Sequence, residues 1–81
     1  MATEKKVDEA WDRASKVRGK HPAIWRKDEM GNLIRRGSYG TQGEFGWEID
    51  HRFPKSRGGS EHGRNKRALH WRSNRRKSDR Y

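Results

Sequence analysis

Apolar residues recur at helical spacing near the start of the chain. They are Val7, Ala10, Trp11, Ala14 and Val17. This spacing predicts an amphipathic helix over residues 4–18, with a polar face that carries both signs of charge. Thr3 stands where a side chain can cap the first turn, and Gly19 follows the last periodic residue. We interpret Trp11 as the residue that anchors this helix in the core.

Two short apolar segments follow, residues 23–26 and residues 33–36, and a polar stretch separates them. Asp28, Gly31 and Asn32 in that stretch are typical turn residues, so the pattern predicts a β-hairpin. The glycine-rich residues 40–46 are expected to connect the hairpin to the second half of the chain.

The apolar pattern changes to strict alternation at residues 47–51. Trp47 and Ile49 point to one side of a predicted strand, and Glu48 and Asp50 point to the other. Pro54 is expected to end this strand because proline cannot donate to a β-ladder.

The remaining residues predict a long loop, a second strand and a final helix. The loop covers residues 55–64, the strand lies around residues 67–70, and the helix runs from Trp71 to about Asp79. The fold class is therefore α+β, a single domain over residues 1–81. Residues 1–46 supply the first helix, the hairpin and the connector, and residues 47–81 supply the strand, loop, strand and helix.

Composition restricts the chain to one small domain with a thin core, since it has 81 residues of which 27% are apolar. Although 40% of the residues are charged, four Trp, two Tyr and two Phe favour a compact fold over disorder. The absence of cysteine excludes disulfides and cysteine-based zinc sites. No apolar run is long enough for a signal peptide or a membrane span, so we expect a cytoplasmic protein without membrane contact.

The positive charge is concentrated in the second half of the chain. Residues 1–50 hold 10 Lys and Arg against 9 Asp and Glu, whereas residues 51–81 hold 11 against 2. Such an excess favours a polyanionic partner, most plausibly nucleic acid. A basic surface that is merely solvated is the plainer alternative.

Asp50 and His51 form the strongest chemical pair. A carboxylate is a hard metal ligand, and a histidine that is neutral at cellular pH can accept a proton from water. Taken alone, the pair is equally consistent with an ordinary structural ion pair.

The second half of the chain resembles the core of HNH endonucleases. The matching positions, in order, are Asp50 and His51, Gly58 and Gly59, Asn65, Asn74, and Lys77. The chain is similar to the variant in which the last ligand is Asn, and it lacks the Cys pairs that some HNH proteins carry. The agreement of several residues in order and spacing is more specific than any single residue.

This resemblance implies a ββα-metal fold and a metal-dependent endonuclease. His51 would be the general base, and Asp50 and Asn74 would bind one divalent metal ion. Oxygen ligands favour Mg²⁺, with Mn²⁺ or another transition metal as alternatives, and no structural zinc is expected. Asn65 would hold the loop and thereby orient His51, which completes a catalytic set of His51, Asp50, Asn65 and Asn74.

The expected partner is DNA, with RNA left open, and a homodimer or a larger nucleic-acid-processing assembly is also open. Phosphate contacts are assigned to Arg52, Lys55, Arg57, Arg72, Arg75, Arg76 and Lys77. Such contacts carry little sequence information, so low intrinsic specificity is expected. The alternatives are a basic nucleic-acid-binding module that has lost catalysis and an accessory subunit that docks an acidic protein.

Overall fold

The computed structural model describes residues 3–53, 55–60 and 62–78, and over these residues the chain is α+β. Two helices and two small antiparallel sheets make up the fold. The elements are α1 (Glu4–Arg13), β1 (Ser15–Lys16), β2 (Trp25–Lys27), β3 (Leu33–Arg35), β4 (Trp47–His51), β5 (Lys66–His70) and α2 (Trp71–Ser78). Short 3-10 turns occur at Arg36–Ser38, Lys55–Arg57 and Gly63–Asn65. Pro54 and the predicted helix end at Asp79 lie outside the described residues.

Helix α1 begins where the sequence predicts, but the prediction of its end is wrong. The Thr3 side chain accepts a hydrogen bond from the Lys6 amide at 3.4 Å, as expected of a cap. The helix stops at Arg13 instead of residue 18. The next residue, Ala14, is extended, and the chain then continues as strand β1.

The early end of α1 has a tertiary cause. One nitrogen of the Arg26 guanidinium donates to the carbonyl oxygens of Trp11, Asp12 and Ala14 at 3.3, 3.1 and 3.2 Å. The last carbonyls of a helix have no partner within the helix, so a guanidinium in this position satisfies them. The end of the helix is therefore determined by a residue of the hairpin.

We expect Arg26→Met to lower the free energy of unfolding by about 1 to 2 kcal/mol, because several carbonyls lose their donor at once. The substitution keeps most of the apolar length of the side chain. Urea unfolding followed by circular dichroism measures the change. Arg18→Met at an exposed position is the control, and an equal loss in both variants would contradict the capping role.

The predicted hairpin is confirmed, and β1 adds a third strand to it. The strand order is β1-β2-β3, with Trp25 opposite Arg35 and Lys27 opposite Leu33. Gly31 adopts a positive φ of 88° in the turn, a conformation that favours glycine.

Strands β4 and β5 form the second sheet, and α2 follows β5 directly. Trp47 pairs with His70 and His51 pairs with Lys66 in an antiparallel register. The predicted order of strand, loop, strand and helix is observed. Lys66, the first residue of β5, is only 5% exposed.

The core joins the two halves of the chain. Trp47 of β4 is fully buried and contacts Trp11 of α1, with ring centroids 5.3 Å apart. Tyr39 packs on the same ring at 5.0 Å, and Ile34 of β3 is also fully buried. Helix α1 and the hairpin therefore cover the apolar face of β4, and the opposite face of this strand is left to its polar residues.

Candidate active site

The polar face of β4 lies against helix α2. Glu48 accepts a hydrogen bond from the Asn74 amide at 2.8 Å, and Asp50 accepts hydrogen bonds from the Lys77 ammonium. These contacts follow from two spacings, since alternate strand residues share a face and residues three apart share a helix face. The predicted placement of Glu48 and Asp50 on one side of the strand is therefore confirmed.

Asp50 is the most enclosed acidic group of this site, with 7% of its surface exposed. The Lys77 Nζ donates to its Oδ1 and Oδ2 at 3.0 and 2.9 Å. The Arg67 Nε donates to Oδ2 at 2.9 Å. Two cations therefore neutralise the carboxylate that the resemblance assigns to a metal ion.

Oxygen atoms surround the ammonium group of Lys77. Besides both Asp50 oxygens, the backbone carbonyl of His51 accepts from Nζ at 2.7 Å, and that of Arg52 accepts at 3.4 Å. Lys77 was predicted to contact a substrate phosphate. In the free protein it instead occupies a cation position made of a carboxylate and backbone carbonyls.

Asn74 lies on the same β4–α2 face as Asp50, but its hydrogen bond goes to a different carboxylate. Its Nδ2 donates to Glu48, which leaves the amide oxygen as the atom suited to a metal ion. The amide oxygen of Asn74 and the carboxylate oxygens of Asp50 are each hard donors of the kind that Mg²⁺ and Mn²⁺ prefer. Within the described parts of the chain, no three His, Cys, Asp or Glu side chains form a group that could hold a metal ion.

Asn65 ties together the loop that follows His51. Its Oδ1 accepts from the Phe53 amide at 2.8 Å, and its Nδ2 donates to the carbonyls of Phe53 and Ser60 at 3.0 and 2.7 Å. Its own carbonyl accepts from the Arg52 amide at 2.7 Å. These bonds are those expected of a residue that fixes the loop behind the histidine.

We expect Asn65→Ala to lower the free energy of unfolding by about 1 to 2 kcal/mol, since three side-chain hydrogen bonds disappear together. The Phe53 amide should exchange with solvent faster because it loses its acceptor. Hydrogen exchange measured by NMR tests this directly. Ser56→Ala, at an exposed position of the same loop, is the control, and unchanged exchange at Phe53 in Asn65→Ala would contradict the bonding.

His51 is the last residue of β4, half-buried, and lies between Asp50 and the loop held by Asn65. Its backbone is fixed on two sides, by pairing with Lys66 across the sheet and by the Lys77 bond to its carbonyl. The strand end and the loop therefore hold the backbone of the predicted base in a defined position.

His70 has a structural role at the junction of β5 and α2. Its Nε2 donates to the Glu44 carbonyl at 2.7 Å, and its Nδ1 accepts from the Arg72 amide at 3.2 Å. Both ring nitrogens are engaged in fixing the connector and the first turn of α2. His62 is exposed, and its Nδ1 accepts from the Arg64 amide at 3.1 Å.

The residues that sequence reasoning missed are Glu29 and Arg67. Glu29, in the hairpin turn, accepts a hydrogen bond from the Arg67 Nη1 at 2.6 Å and also forms an ion pair with Arg52. Burial, followed by the positive charges of Arg67 and Arg13, lowers the pKa of Arg52. An acidic residue in a predicted turn carries no local signal for such distant contacts.

The predicted phosphate-binding residues occupy different surroundings. The guanidinium groups of Arg72 and Arg75 lie over the Trp71 ring, at 5.2 and 5.5 Å from its centroid. Arg76 lines an open cavity of about 490 Å³ between the hairpin turn and α2. Arg57 is exposed, and the Lys55 side chain lies outside the described residues.

A scan of protein families, a search of curated proteins and a search of solved structures found no match to the chain. Neither helix of the described residues combines the length and apolar character needed to cross a membrane.

Proposed function

We propose that the chain is an HNH-type endonuclease that hydrolyses phosphodiester bonds in DNA with the help of a divalent metal ion. The observation that carries the proposal is the set of Asn65 hydrogen bonds, which hold the loop that follows Asp50 and His51 at the end of β4. These bonds restrain the backbone beside the histidine that would activate the attacking water, and general base catalysis requires such positioning. On this proposal residues 47–81 form a ββα-metal core.

His51 would accept the proton of the attacking water, because its imidazole can be neutral and basic near pH 7. Asp50 and Asn74 would hold the metal ion. A divalent ion held there would supply positive charge to stabilise the charge that develops during phosphodiester hydrolysis. Asn65 would keep the loop, and with it the His51 backbone, in place throughout.

The fit of a metal ion is supported by the surroundings of Lys77. Its ammonium group already lies among four oxygen atoms, two of which belong to Asp50. The position occupied by the Lys77 ammonium group is therefore suited to a cation. Because a metal ion would share the Asp50 carboxylate, we infer that Lys77 must give up at least part of this contact and becomes available to a substrate phosphate.

The basic residues would bind the substrate through its phosphates. Helix α2 contributes Arg72, Arg75 and Arg76, which are exposed on the element that carries Asn74. Contacts of this kind depend strongly on salt and hardly on base sequence. We therefore propose low intrinsic specificity, with nicking or double-strand cleavage as the outcome.

One observation favours a second function, a nucleic-acid-binding module without catalysis. Asp50 is neutralised by Lys77 and Arg67 in the free protein, and a metal ion has to compete with both. If that competition fails at physiological metal concentrations, the basic surface would still bind DNA.

The test is incubation of supercoiled plasmid with the protein and Mg²⁺ or Mn²⁺, with parallel reactions in EDTA. We expect nicked or linear product with metal and none in EDTA. In parallel, fluorescence anisotropy with a labelled duplex measures DNA binding at several salt concentrations. Salt-dependent binding without cleavage under either metal would support the module, and no binding at low salt would reject both functions.

A further inference from the structure

A line of alternating charges connects the hairpin turn to Asp50. Glu29 pairs with Arg52 and Arg67, Arg67 pairs with Asp50, and Asp50 pairs with Lys77. We call these five residues the ionic chain. Arg67 is its central link, because its Nη1 contacts Glu29 at 2.6 Å while its Nε contacts Asp50 at 2.9 Å.

The ionic chain holds three cations and two carboxylates, so its formal charge is +1. Glu29 supplies one of the two negative charges. Without it the same cluster would carry +2 around a carboxylate that is almost buried.

The backbone next to Glu29 is held in place by the hydrogen bonds of the preceding residue, Asp28. The Asp28 carboxylate accepts from the His70 amide at 2.9 Å and from the Asn32 amide at 2.8 Å. The hairpin turn is thereby fixed to the junction of β5 and α2. The backbone that carries Glu29 is therefore held in place. Its carboxylate can restrain the Arg67 guanidinium, although the Glu29 side chain is 38% exposed.

We propose that Glu29 is a positioning residue for the candidate metal site. It holds Arg67 in the orientation that fixes the Asp50 carboxylate, and by pairing with Arg67 it offsets the positive charge that Arg67 directs at a divalent cation on Asp50. This inference rests on the proposed function in assigning the metal to Asp50. It gives the N-terminal hairpin a part in the chemistry of a site built by β4 and α2.

The first experiment compares Mn²⁺ binding to the full chain and to Glu29→Gln by isothermal titration calorimetry. We expect the Mn²⁺ affinity to fall about 3- to 10-fold in the variant, because a compensating charge near the cation is lost. Asp8→Asn is the matched control, since it removes the same charge from another exposed pair, Arg36–Asp8 at 2.7 Å on α1. Equal affinities in the full chain and Glu29→Gln, or an equal fall in the control, would overturn the proposal.

The second experiment asks whether Glu29 acts through Arg67. In an Arg67→Met background, Glu29→Gln should have little further effect on Mn²⁺ affinity, since the link to Asp50 is already broken. An undiminished effect would show a general influence of charge and overturn the positioning role. Arg67→Lys serves the same purpose if Arg67→Met does not fold, because one ammonium cannot reproduce the two-sided guanidinium contact.

A third measurement separates this inference from the proposed function. Urea midpoints are compared for the full chain, Glu29→Gln, Asp50→Asn and the double variant, all in EDTA. We expect a smaller effect of Glu29→Gln when Asp50 is already replaced, which is the sign of coupling through Arg67. Additive midpoints would overturn the positioning role. Coupling without any Mn²⁺ binding would leave Glu29 as the residue that positions Asp50 and would reject the metal-dependent nuclease.

Discussion

Replacing His51 with alanine is expected to reduce the rate of DNA cleavage at least about 100-fold, while DNA affinity changes little. A positioned general base typically contributes about 10²- to 10⁴-fold to a rate. His51 is one side chain at the end of β4, whereas on the proposed function DNA binding would be spread over many basic residues. The removal of the ring should therefore act on catalysis and spare substrate binding.

The measurement is single-turnover nicking of plasmid at saturating Mn²⁺, combined with anisotropy of a labelled duplex. His62→Ala is the matched control, because this exposed histidine caps the short turn Gly63–Asn65 in the same loop region. We expect the control to keep most of its activity. If His51→Ala cleaves as fast as the unmodified protein, His51 is not the base and the proposed mechanism fails.

The local elements of the candidate site could be predicted from the sequence. The alternation at residues 47–51 defines β4 because only one face of this strand meets the core, through Trp47 and Ile49. The bounds of β5 and the start of α2 differ from the prediction by at most one residue. The resemblance also predicts that Asn65 holds the loop after β4, and the side chain of Asn65 does bond to Phe53 and Ser60 in that loop.

Contacts between distant residues could not be predicted in the same way. Helix α1 shows apolar periodicity as far as Val17, yet Arg26 ends it at Arg13. Likewise, no local pattern pairs Glu29 with Arg67 or Lys77 with Asp50, which are 38 and 27 residues apart. The chain has 21 Lys and Arg, so the sequence offers many possible cationic partners for each carboxylate. Which of them form ion pairs depends on the tertiary fold.

Contacts from the first half of the chain hold the second half in place. Ring packing between Trp11 and Trp47 attaches α1 to β4, and the Asp28 hydrogen bond to the His70 amide attaches the hairpin to β5. The Trp11–Trp47 contact lies on the apolar face of β4, and the Asp28 bond lies at the junction of β5 and α2. The first half of the chain therefore supports β4 and α2, the two elements that carry the candidate site.

The largest loss of stability is expected for Asp28→Ala. Asp28 is 3% exposed, and its two carboxylate oxygens accept four hydrogen bonds. The donors are the amides of Met30, Asn32 and His70 and the side chain of Asn32. The negative charge also lies beside the first turn of α2, where the helix dipole favours it. Alanine would leave buried donors without an acceptor, so we expect a loss of about 3 to 5 kcal/mol.

A loss of this size is a large part of the total stability of a small domain, which is typically about 5 to 15 kcal/mol. The melting temperature should fall by roughly 15 °C or more, as measured by circular dichroism. Asp28→Asn retains one acceptor oxygen and should lose less than alanine. Asp12→Asn at an exposed position of α1 is the control for charge and should change little. A melting temperature for Asp28→Ala within about 3 °C of the unmodified protein would correspond to less than about 1 kcal/mol and would contradict this role for Asp28.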